Sequence, residues 1–186
     1  MQYEYYLEEI IEAVKGCSLN TKDAILENYD NILENLVDIF SKYKKNKQMR
    51  IFFIGNGGSA AIAIHMTADY SKNGGMTTIN MYDPATITCL GNDYGYEHIF
   101  SKQLEKHIKQ GDMLVAISSS GNSANILKAI DSAKMRGAVV ITFTGFNANN
   151  EVRQIGDYNL YVPNTKYGIV ESVHNIILQQ IVDIIR

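Results

Sequence analysis

Residues 51–59 read Ile51-Phe52-Phe53-Ile54-Gly55-Asn56-Gly57-Gly58-Ser59. A short, unbroken apolar run ending in glycine is the pattern of a strand buried on both faces. The glycines form a loop, and residues 60–70 suit a helix. The alternation repeats outward from there. Residues 77–82 predict a second strand, 96–108 a second helix, 113–117 a third strand, 123–136 a third helix and 139–143 a fourth strand. A weaker fifth strand over 158–162 is ended by Pro163, and an apolar helix runs from about 169 to 185. On the amino-terminal side, Leu7, Ile10, Ile11 and Val14 recur at helical spacing. After a break over residues 16–20, Ile25, Ile32, Leu33, Leu36, Ile39 and Phe40 do the same, with Asn20 or Thr21 as the cap. Strands alternating with helices predict an α/β fold with a doubly wound parallel sheet. The whole chain, 1–186, reads as one domain with a helical segment over 1–48 that covers the core or pairs with another subunit.

The chain has 186 residues, 46% hydrophobic and 20% charged, with 17 Lys+Arg against 20 Asp+Glu and a formal charge of −3. These values exclude a disordered chain. No concentrated basic face points to nucleic acid, and the run over residues 42–50 reads as the solvated end of a helix. No apolar stretch reaches the ~20 residues needed to span a bilayer, so no membrane partner is expected. The first residues, Met-Gln-Tyr-Glu-Tyr-Tyr, lack the basic and apolar regions of a signal peptide. Cys17 and Cys89 lie far apart without CxxC spacing and read as reduced thiols, consistent with a cytoplasmic protein.

Ligands of such sheets bind beyond the carboxyl ends of the strands. Two strand ends here carry loops of one kind. The first is Gly55-Asn56-Gly57-Gly58-Ser59, and the second is Ser118-Ser119-Ser120-Gly121-Asn122-Ser123. Each runs directly into a helix, where backbone N–H groups, the helix dipole and neutral hydroxyl donors suit a phosphate. Gly55 to Ala60 also satisfies G-x-G-x-x-[GA], and Asp83 follows the second strand where a ribose-binding acid would stand. That dinucleotide alternative leaves the serine cluster without a role. A small phosphorylated metabolite accounts for both loops.

His65 and Asp69 are spaced i, i+4 on the helix after the first loop, and Glu171, His174 and Gln179 lie on the last helix. They read either as helix-face pairs with a partly buried histidine, or as acid–base groups or metal ligands at the mouth of the site.

The succession GNGGSA (55–60), GNDYGYEHIFSKQ (91–103), ISSSGNSANILKAI (117–130), VITFTG (140–145) and a closing VES-x-H helix resembles the sedoheptulose 7-phosphate (phosphoheptose) isomerases of the sugar isomerase, or SIS, fold. The resemblance covers nearly the whole chain. It implies a flavodoxin-like three-layer sandwich with a five-stranded parallel sheet, and a homotetramer with active sites between subunits. It also implies an aldose–ketose sugar-phosphate isomerisation through an enediol. Ser118, Ser120 and Ser123 would bind phosphate, Asn56, Gly57 and Ser59 would shape the first loop, and Asp93 and Ser119 would touch the sugar.

The family's catalytic positions are altered here. Its H-x-x-x-E base position holds Asp69, and an Arg one turn on is Asn73. On the last helix the family's Gln is Glu171 and its acidic His is Gln179. The expectation is therefore an isomerase with a modified acid–base set. Asp69 or Glu171 would serve as base, His65 as helper, and Gln179 as a substrate contact. His65, Asp69 and Glu171 are candidate ligands for a divalent metal such as zinc that polarises the carbonyl. The alternative is a non-catalytic sugar-phosphate-binding or protein-interaction module, resembling the SIS proteins that associate with the bacterial replication initiator.

Overall fold

The structure, a computed structural model, describes residues 2–186. Helix α1 (Gln2–Lys15) leads into two short strands, β1 (Ser18–Asn20) and β2 (Ile25–Leu26), and then α2 (Tyr29–Lys45). The alternating part follows as β3 (Arg50–Gly55), α3 (Gly58–Lys72), β4 (Thr77–Ile79), α4 (Pro84–Tyr94), a 3-10 turn at Tyr96–His98 and α5 (Ser101–His107). It closes with β5 (Met113–Ser118), α6 (Ala124–Met135), β6 (Val139–Thr144), α7 (Glu151–Ile155), β7 (Tyr158–Tyr161) and α8 (Tyr167–Ile185). The sheet order is β2-β1-β7-β6-β5-β3-β4. From β7 to β4 every pairing is parallel, which gives the five expected strands in flavodoxin-like order.

The sheet nevertheless has seven strands rather than five. β1 and β2 pair antiparallel with each other, and β1 adds antiparallel to the β7 edge with Ser18 opposite Tyr161. The segment 1–48 is therefore not wholly helical. Thr21 closes the hairpin, its hydroxyl oxygen accepting the N–H groups of Asp23 and Ala24 at 3.2 and 3.0 Å. Ile25 consequently lies in a strand, and α2 is capped by Asn28, whose side chain accepts from Asn31 N, instead of by Asn20 or Thr21.

Two expectations around the second strand also change. Residues 84–94 are helical, and the helix foreseen over 96–108 divides into the 3-10 turn and α5. Asp83 is the cap of α4, accepting from Thr86 N at 2.8 Å and Thr86 Oγ1 at 2.7 Å. Those bonds hold its carboxyl below the usual range and commit Oδ1 to the helix start.

Alternation along the strands builds the two core layers. Ile51 and Phe53 face a cluster with Phe40 of α2, Tyr70 of α3 and Ile177 of α8, while Phe52 and Ile54 face Leu104 of α5 and Ile126 and Ile130 of α6. Tyr70 stacks its ring edge near Phe53 (5.1 Å) and donates to Leu178 O at 2.9 Å, so it locks α8 beside α3. The carboxyl ends of β3, β5 and β6 then bring loops 55–59, 118–123 and 144–147 to one edge.

Candidate functional site

A cavity of about 110 Å³ lies at that edge, lined by Asn56, Ser59, Ile117, Ser118, Ser119, Ser120, Ser123, Tyr167 and Glu171. The two loops read from the sequence thus form one site. Three helices start there. α3 begins behind Gly57, α6 behind Ser123 and α8 behind Lys166, and none of these caps makes a side-chain hydrogen bond to its helix. By contrast α2, α4 and α7 are each capped by an Asn or Asp side chain. Uncapped first-turn N–H groups and the positive ends of three helix dipoles converge on a space large enough for a phosphate group. Ser119 is buried and its hydroxyl has no partner among the described residues, leaving a donor free for a ligand. No lysine or arginine lines the cavity.

The loops are held from behind. Asn56 and Asn125 exchange carboxamide hydrogen bonds at 2.9 and 2.8 Å, tying the first loop to α6. Tyr96 Oη donates to Asn56 Oδ1 at 2.9 Å, and Tyr82 Oη accepts from Gly55 N and donates to Gly55 O. In the serine loop Gly121 N donates to Ser118 O and Oγ at 3.0 and 3.2 Å. Asn125, Tyr96 and Tyr167 were not foreseen. Asn125 and Tyr96 lie within the stretches 117–130 and 91–103 that carry the resemblance, and Asn125 also extends the polar loop into the first turn of α6; Tyr167 carried no such signal.

Glu171 forms the cavity's acidic wall. A Cβ on Gly58 would lie 2.6 Å from its Cδ, so only a glycine at the start of α3 lets the carboxylate approach. Burial raises the Glu171 pKa above the usual carboxylate value. Three residues on, His174 is fully buried, its Nε2 3.1 Å from Thr144 O and its ring edge-on to Phe143. Burial depresses its pKa to about 4, so it is neutral at pH 7, with Nε2–H donating and Nδ1 bare. It is a structural support rather than an acid. The unfolded chain takes up a proton near pH 6.5 while the folded chain resists until about pH 4. Stability is therefore present above pH 6.5 and declines below it, by about 2 kcal/mol at pH 5. Urea unfolding at pH 7.5 and 5 should show that loss, and His174→Gln should flatten it; an equal loss in the variant would assign it elsewhere.

His65 and Asp69 do pair, at 3.6 Å, with His65 more than half exposed, and Asn73 Nδ2 donates to Asp69 Oδ1 at 3.0 Å. They do not meet Glu171 in the same chain. Glu171 abuts Gly58, and Asp69 is eleven residues along α3, roughly 16 Å at 1.5 Å per residue. Gln179 falls at the Asp69 end as well, since Leu178 beside it meets Tyr70. Among the described residues no three His, Cys, Asp or Glu side chains are arranged to hold a metal ion. The candidate set His65, Asp69 and Glu171 therefore does not fit a metal within one chain. Asp93 is exposed on α4, bonded to Asn92 Nδ2, and does not line the cavity. No helix among the described residues is long and apolar enough to cross a membrane.

The SIS domain family matches residues 18–145. The phosphoheptose isomerase of Aneurinibacillus thermoaerophilus is 35% identical over 179 residues, covering 92% of this chain and 89% of that one. The phosphoheptose isomerase of Rhodospirillum rubrum is 42% identical over 134 residues, covering 67% and 69%. A solved phosphoheptose isomerase from Neisseria gonorrhoeae has a TM-score of 0.83 at 28% identity, covering 100% of this chain and 98% of that one. With the cradle intact and the match running almost end to end, the chain belongs to the phosphoheptose isomerase family of SIS-domain proteins.

Proposed function

We propose that this protein interconverts the aldose and ketose forms of a sugar phosphate, with the phosphate in the serine cradle. The convergence of three uncapped helix starts on Ser59, Ser118, Ser119, Ser120 and Ser123 carries the reading. Neutral donors bind the dianion and leave the sugar carbonyl to extend toward Glu171. The chemistry is a proton shift. A base removes the proton from the carbon next to the carbonyl, the carbonyl oxygen takes up a proton to give the enediol, and the reverse steps at the other carbon complete the exchange. Glu171 is the carboxylate within one chain's cavity, and its raised pKa suits a group that alternates between base and acid.

Asp69, with His65 beside it, belongs to the reaction only when another subunit brings it to the cradle. Exposed apolar side chains on α1 (Leu7, Ile11), α3 (Ile64) and α8 (Ile176, Ile184) support a homo-oligomer, and we assign it as a tetramer with sites between subunits, acting in the cytoplasm. A seven-carbon sugar phosphate is the first substrate to test, because the relatives carry that name.

Incubation in D2O with sugar phosphates of five to seven carbons is the test. Deuterium should appear at the carbon next to the carbonyl, and Ser120→Ala should weaken its uptake by about 10-fold, the equivalent of one hydrogen bond to a charged phosphate. Sugar-phosphate binding with no deuterium uptake would make the protein a non-catalytic binding module.

A further inference from the structure

A second and larger cleft, about 580 Å³, opens at the sheet edge where the β1–β2 hairpin meets α7 and β7. Arg153 of α7 forms its wall. The guanidinium lies 4.1 Å over the Tyr161 ring. Nη1 donates to Ala148 O at 2.9 Å, and Nη2 to Ser18 Oγ at 3.2 Å and Asn20 Oδ1 at 3.4 Å. All three partners are neutral, Nε is enclosed with no acceptor, and among the described residues no carboxylate pairs with this cation. A half-buried guanidinium without a counter-charge is costly unless an anion completes it. Three of its five N–H groups are already bound and Nε is enclosed, so it offers a cleft anion its charge and the second Nη1–H.

The rest of the cleft fits the same guest. Lys22 is 79% exposed and only loosely paired with Asp157 at 3.6 Å, so it is free to swing onto a ligand. Asp157 also lines the cleft, its Oδ2 accepting from Val140 N at 2.9 Å and its Oδ1 facing Lys22, so the Lys22 ammonium offsets its charge there. The carboxamides of Asn149 and Gln154 complete the wall with groups that bond hydroxyls, and the volume is that of a small-metabolite site.

The cleft is also mechanically joined to the serine cradle. Val152 N donates to Gly121 O at 2.9 Å and Glu151 N to Asn122 Oδ1 at 3.2 Å, so the residues just before Arg153 grip the 118–123 loop.

We propose that the Arg153 cleft is an effector site for the phosphate monoester of a small hydroxylated metabolite, and that its occupancy, transmitted through α7, tightens phosphate binding at the serine cradle. Titration of the full chain with inorganic phosphate, followed by 31P NMR and calorimetry, tests this. Two phosphates should bind per chain, with the second occupancy improving the first by about five-fold or more. Arg153→Gln should weaken the cleft class by about 10- to 100-fold, as loss of charged hydrogen bonds does. Lys22→Ala, on an exposed side chain whose removal leaves the fold intact, should weaken it about 2- to 5-fold. Ser123→Ala should affect the cradle class first. A single class of phosphate, lost in Ser123→Ala and unmoved by Lys22→Ala and Arg153→Gln, would overturn the site. Should Arg153→Gln not fold, Lys22→Ala decides alone. Two classes that titrate independently would overturn the coupling.

Discussion

Gly121→Ala is expected to destabilise the protein by about 2–5 kcal/mol and to abolish phosphate binding at the serine cradle. Gly121 has φ +68, where an L side chain costs about 1–2 kcal/mol. A Cβ there would also overlap the Asn150 carboxamide and lie 2.6 Å from the Asn150 Cβ. Asn150 cannot swing aside, because it is buried, donates to Gly145 O at 3.1 Å and Asn147 O at 2.8 Å, and accepts from Arg153 N at 2.9 Å. Overpacking of this kind costs about 1–3 kcal/mol further. The loop would move, and with it the Gly121 N–H that fixes Ser118. Gly111→Ala is the control, since Gly111 has φ +84 but open space where its Cβ would go. It should show the backbone cost alone, with phosphate binding untouched. Denaturant midpoints and phosphate titrations on both variants check this; if Gly121→Ala costs no more than Gly111→Ala, the packing against Asn150 is not what shapes the loop.

The parts of the fold that were legible in the sequence are those whose signal is local. Residues 51–54 announce a doubly buried strand because both faces of β3 meet apolar layers, and 113–117 do so for the same reason. β1 and β2, at three and two residues, are too short to display a period of two, and only Leu19 is fully buried. The start of α4 did carry a signal, an Asp cap followed by Pro84 at the first turn.

The site divides in the same way. Both anion loops could be read because glycine, serine and a helix start are adjacent in the chain. The relation of Glu171 to Asp69 could not. Periodicity places a residue on a face of its own helix, whereas the level at which α8 crosses α3 is set by Tyr70 meeting Leu178 and by Gly58 admitting Glu171. Tyr167 was invisible for a related reason, since its position depends on where the chain re-enters after β7.

Glu171→Gln is expected to lower the rate of deuterium exchange by about 10²–10⁴-fold, the usual worth of a general acid–base group. The substitution keeps the side chain's length and shape and replaces the titrating, charged carboxylate with a neutral carboxamide that can neither take up nor give a proton at these pH values. Because burial lifts the pKa of this carboxyl above that of an ordinary glutamate, the wild-type rate should fall on the acid side at a pH above the usual carboxylate range, and the variant's residual rate should lack that limb. Stability should change in the opposite direction. A folded-state pKa above the unfolded one means that the protonated form is favoured by folding. That contribution is complete below the unfolded value and is lost as pH rises through the folded one. At pH 7.5 the ionised Glu171 is thus a burden on the folded state, which the neutral amide does not carry. Thermal melts should show Glu171→Gln equal to wild type near pH 4 and more stable at pH 7.5, an active group held at the expense of stability. Unchanged exchange in Glu171→Gln at every pH would remove Glu171 from the chemistry. The base would then have to be an Asp69 delivered from a neighbouring chain, and Asp69→Asn would stop the reaction in its place.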